Sequence, residues 1–82
     1  MKFTWYSDGS GGFVANDEQG FRRVHVGRRG PNDIRQLTNY TRYCVFVHST
    51  YDGYAGDLPL DLPEEDLKAA AITLARLSGY LS

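Results

Sequence analysis

Apolar residues return at helical spacing over one long stretch of this chain, near its C-terminal end. Leu67, Ala70, Ala71, Leu74, Leu77 or Ser78, and Leu81 make a single stripe of period 3.6. Pro63 stands in the first turn, where a missing amide costs nothing, and Asp61 and Glu64 have the spacing of an acidic capping box. The pattern predicts a helix over about 62–80. A helix with one apolar stripe has to bury it against another element.

Most of what precedes it has the two-residue period of strands. Residues 2–6 place Phe3 and Trp5 on one face and Lys2, Thr4 and Tyr6 on the other. The glycine-rich stretch Asp8-Gly9-Ser10-Gly11-Gly12 reads as a turn, and residues 13–16 return as a second strand. A second turn, Asp17-Glu18-Gln19-Gly20, leads into residues 21–26, where Val24 and Val26 share one face and Arg23 and His25 the other. Residues 27–30 interrupt that strand, and Pro31 opens a short helical turn over 32–37 that displays Ile34 and Leu37. In residues 41–49, Tyr43, Val45 and Val47 alternate with Arg42, Cys44, Phe46 and His48. Apolar groups on both faces predict a central strand covered at least partly on both sides. Residues 49–60, rich in Gly, Tyr and Asp, read as a loop. The expected fold is α+β: one domain over 1–82, with a small antiparallel sheet of about four strands packed against a C-terminal amphipathic helix.

Composition agrees with a small globular protein: 41% of the 82 residues are hydrophobic and 13% aromatic, enough for a core without staples. The lone Cys44 excludes an intrachain disulfide and a cysteine-rich zinc site, and points to a reducing cytoplasm. The opening residues lack the apolar stretch of a signal peptide, and no apolar run has the length of a membrane span.

Charge is sorted along the chain. Residues 22–48 hold six arginines (Arg22, Arg23, Arg28, Arg29, Arg35, Arg42) against Asp33 alone. Residues 49–66 hold six acids (Asp52, Asp57, Asp61, Glu64, Glu65, Asp66) and no base. The overall charge of −1 therefore conceals a segment of +5 followed by one of −6. Such asymmetry concerns partners and encounter rates.

Each charged segment has a local explanation beside a functional one. Glu64, Glu65 and Asp66 suit a helix N-terminus, and Asp52 and Asp57 suit turns. Yet Tyr51 and Tyr54, with Asp52 and Asp57 beside them and Gly53 and Gly56 for pliancy, have the composition of a recognition loop aimed at a basic surface. Together with Asp61, Glu64 and Glu65 they form the expected partner-binding set. Arg22, Arg23, Arg28 and Arg29, joined by Tyr40 and Arg42, form the alternative: a basic ribbon for phosphates or a second partner. Exposed arginines also serve simply as a solvated face or guard an edge strand.

Catalytic and metal chemistry find no support. Cys44 and His48 lie four residues apart on one strand, about 13 Å at roughly 3.3 Å per residue, so they form no dyad. His25 meets His48 only if the third and fourth strands pair suitably, and two histidines alone make a poor zinc site. The spacing of acids over 52–57 is not that of a calcium loop. No catalytic residue, metal or cofactor is expected, and the chain reads as non-enzymatic.

The segments Met1-Lys2-Phe3 and Gly12-Phe13-Val14-Ala15 resemble the start of HicB-type antitoxins over about fifteen residues, and the arginine-rich stretch departs from that pattern. In overall profile the chain resembles small phage-encoded inhibitors of the anti-CRISPR type: one compact domain, no catalytic motif and strong charge patches. That resemblance implies a stoichiometric blocker of a host nucleoprotein machine and transfers no site residues. The expected function is docking on a host protein or nucleoprotein complex through charged surfaces, with nucleic-acid binding through Arg22–Arg29 as the alternative. A homodimer that sets one chain's basic ribbon against the other's acidic loop is also compatible with the charge pattern.

Overall fold

The computed structural model describes residues 2–30, 40–49 and 52–81. Among these residues five strands follow one another, β1 (Thr4–Ser7), β2 (Phe13–Asn16), β3 (Arg22–Arg29), β4 (Arg42–Val47) and β5 (Gly53–Leu58), followed by one helix, α1 (Glu64–Leu77). The strands pair in sequence order, each antiparallel to its neighbour. The helix lies on the β3–β4–β5 side of the sheet. This is an α+β fold with five strands where the sequence suggested about four.

Strand alternation decides what the helix meets. Val24 and Val26 of β3 stand opposite Val47 and Val45 of β4, and all four are fully buried. They pack with Ala15, Leu67, Ala71, Ala75 and Leu81 into one core, with Phe3, Trp5, Phe13 and Tyr43 around it. Burying an entire valine pair-row in this way is worth roughly 1.5–3 kcal/mol per side chain. Over β1 and β2 the inner face is covered by Lys68, whose ammonium lies 4.9 Å from the Phe13 ring centroid and 5.7 Å from that of Trp5.

Four expectations are corrected. The extra strand, β5, falls in the stretch read as a loop, because Gly53 and Gly56 suggested turns. Both glycines instead face the helix layer: a side chain at Gly53 would strike the Tyr80 ring, and one at Gly56 would press on Leu74. Residues 27–29 continue β3 to Arg29 rather than breaking it. The helix begins at Glu64 with Pro63 at the cap position and no side-chain cap, so Asp61 and Glu64 form no capping box; Glu64 pairs with Lys68 instead. The stripe runs through Leu67, Ala71 and Ala75, and Leu77 is 80% exposed, because the helix ends there and the chain turns back through Ser78 and Gly79 to bury Leu81. As expected, β4 is interior to the sheet and covered at least partly on both sides: the helix lies on one, and on the other Cys44 is buried and Phe46 half-buried. The helical turn expected over 32–37 lies outside the described residues. Among the described residues no helix is long and apolar enough to cross a membrane.

Candidate functional site

The sheet face turned away from α1 carries a continuous cross-strand row. Tyr6 stands opposite Val14, Val14 opposite His25, His25 opposite Phe46, and Phe46 opposite Tyr54, one residue from each strand. Neighbouring rings follow closely: His25 and Phe46 centroids are 6.2 Å apart, Phe46 and Tyr54 centroids 5.8 Å. Tyr6 and Tyr54, on the two edge strands, are 54% and 52% exposed. No helix of the described residues covers this row. Beside it, Tyr6, Asp8, Val14, Asn16 and Arg22 line an open groove of about 400 Å³.

Asp8 and Asp57, on this face, are held within the fold. Asp8 Oδ2 lies 2.8 Å from His25 Nε2, and its Oδ1 accepts the Ser10 and Gly12 amides at 2.7 and 2.9 Å. Burial pushes its pKa up, but the His25 bond and the two amides outweigh that and leave it lowered. Asp57 accepts from Arg42 Nε at 3.0 Å, from the Cys44 thiol at 3.3 Å and from the Tyr54 hydroxyl. Burial again opposes, and these three donors win, so Asp57 is lowered. The same contacts act on the donors with opposite sign. The bond to Asp57 pushes Tyr54 up to about 12, and burial, then Asp57, push the Cys44 thiol up. Cys44 is thus a buried, protonated group rather than a nucleophile.

Arg29 faces Arg42 across β3 and β4, an unfavourable pairing unless the heads diverge. They do. Arg42 reaches to Asp57, and Arg29 turns back along its own strand so that its Cζ lies 5.3 Å from the Phe46 centroid. Gly27 permits this: any side chain there would collide with the Arg29 guanidinium.

The sequence-predicted residues separate on this framework. Of the acidic set, Asp52 lies 3.1 Å from His48, Asp57 is bound as described and Glu64 pairs with Lys68 at 3.0 Å. Asp61 and Glu65 are exposed, and Tyr51 lies outside the described residues. Of the basic set, Arg23 is bound to Asp17 at 2.7 Å, Arg42 to Asp57, and Arg28 sits 4.4 Å over the Tyr40 ring. Arg22 and Arg29 have no carboxylate within ion-pair distance among the described residues. His25 meets Phe46 rather than His48, since His48 lies beyond Val47, next to Arg23. Among the described residues no cluster of three or more His, Cys, Asp or Glu is placed to hold a metal.

Sequence reading missed Tyr6, His25 and Phe46 as members of one surface. Each was visible as the polar-side member of its own strand. Only the register joins them. Family models, curated proteins and solved structures, compared with this chain, give no match.

Proposed function

We propose that this chain is a non-enzymatic binding protein that engages a protein or nucleoprotein partner through the open face of its sheet. The carrying observation is the row Tyr6–Val14–His25–Phe46–Tyr54, which exposes two tyrosines and leaves Arg29 stacked beside it without a carboxylate partner. Tyrosine and arginine are the residues that most often anchor interfaces. The His25–Asp8 pair on this face secures the β1–β2 turn, through the Ser10 and Gly12 amides, and needs no catalytic role to account for it. Acting as an inhibitor requires only that such a surface occupy its target.

A second reading keeps part of the acidic surface. Asp61, Glu65 and Asp66 have no ion-pair partner among the described residues and would meet a basic protein surface. The two surfaces lie on different sides of the molecule, so one experiment separates them. Tagged wild-type protein, a Tyr6→Ser/Tyr54→Ser variant and an Asp61→Asn/Glu65→Gln/Asp66→Asn variant are used to capture partners from cytosolic lysate. Loss of the retained complex in the tyrosine variant alone is the expected result. Loss in the acidic variant alone would move the function to the second surface.

A further inference from the structure

We propose that the occupant of the open face is single-stranded nucleic acid, its bases stacking on Phe46 and Tyr54 and its phosphates meeting Arg29 and Arg22. This rests on the reading of that face as the contact surface and names the chemistry that fits it. Three features combine. Acids of this face are engaged by partners inside the fold, Asp8 by His25 and backbone amides, Asp57 by Arg42, Cys44 and Tyr54, Asp17 by Arg23 and Asp52 by His48. On this face two arginines have no carboxylate within ion-pair distance among the described residues, Arg29 beside Phe46 and Arg22 in the groove beside Tyr6, one towards each half of the row. The rings between and around them lie in consecutive positions on a sheet surface, separated by 5.8 and 6.2 Å. Aromatic rings in series with nearby arginines make the physical arrangement that binds unpaired strands: every base has a π-face, and every nucleotide brings a negative charge.

The geometry selects single strands over duplexes. Phe46 has no polar atom with which to read a base edge, so it contributes by stacking, and stacking needs a base that is not already stacked in a helix. A row crossing five strands about 4.8 Å apart spans roughly 19 Å, room for several nucleotides.

The test uses the full chain and fluorescein-labelled oligothymidylate and oligouridylate of about a dozen nucleotides, read by anisotropy, with the matching duplex and polyglutamate as competitors. Single strands should bind at low salt, and the duplex and polyglutamate should compete poorly. Phe46→Leu and Tyr54→Ser should each weaken binding about tenfold. Arg29→Gln should lower the slope of log affinity against log salt by about 0.7, the loss of one phosphate contact. Asp61→Asn should change neither affinity nor slope appreciably. Circular dichroism melting of each variant confirms that it is folded, and Phe46→Tyr, which keeps the ring, should restore most of the affinity.

Absence of single-strand binding at low salt overturns the proposal. So does equal preference for duplex, displacement by polyglutamate at equal charge, or unchanged affinity in folded Phe46 and Tyr54 variants. The broader reading fails separately. If no oligonucleotide binds but lysate capture still requires Tyr6 and Tyr54, the open face stands with a protein on it. If oligonucleotides bind through neither ring nor Arg29, the face itself is misassigned.

Discussion

Asp17 shows how single residues hold the turns of this fold. Its Oδ1 accepts the Gln19 and Phe21 amides at 2.9 and 3.0 Å, and its Oδ2 binds Arg23. The Arg23 bond, partly opposed by burial and helped by the two amides, lowers its pKa below 3.8. A carboxylate lowered in the folded state takes up its proton more readily when unfolded. The stability it contributes is therefore complete above its unfolded value and is lost as pH falls through the folded one. Asp8 and Asp57 are lowered too and act with the same sign. The denaturant midpoint should stay level down to about pH 5 and fall below about pH 4. Asp17→Asn should be less stable at neutral pH and lose less on acidification. An acid loss of equal size in the two proteins would remove Asp17 from this role.

At the scale of elements, α1 shows which side chains matter and which merely fit the period. Leu67 is 1% exposed at the centre of the core, and Leu77 is 80% exposed beyond the last core-facing turn. Leu67→Ala should cost about 2–5 kcal/mol, and Leu77→Ala less than about 0.5 kcal/mol, both by urea denaturation. Equal costs would mean that the helix packs on a different face. The same contrast shows what the sequence made legible. The strand faces of β1, β3 and β4, the turn at Asp8–Gly12 and the helix could be read from period and turn chemistry alone. β5 could not, because Gly53 and Gly56 suit a loop until Tyr80 and Leu74 are seen to press against them. The capping box was misread because Asp61 and Glu64 match a spacing whose hydrogen bonds do not form.

Across the whole molecule, antiparallel pairing undoes part of the charge sorting that dominates the sequence. Folding β5 against β4 brings Asp57 to Arg42, and Asp52, just before β5, lies against His48. Acids that looked available to a basic partner are thereby engaged within the fold, while Arg29 and Arg22, at the open face, have no carboxylate within ion-pair distance among the described residues. The candidate site was illegible for the same reason. Sequence order puts Tyr6, His25, Phe46 and Tyr54 far apart, and only the register of four strand pairs sets them in one row. The proposed function therefore requires that row to be the surface a partner covers. Hydroxyl-radical footprinting of the free protein and of the complex captured from lysate tests it most directly, with Tyr80, 41% exposed and packed by Gly53 on the helix side, as the internal control. Tyr6 and Tyr54 should be oxidised in the free protein and protected together in the complex while Tyr80 stays reactive. Protection of Tyr80, with Tyr6 and Tyr54 still open, would contradict it.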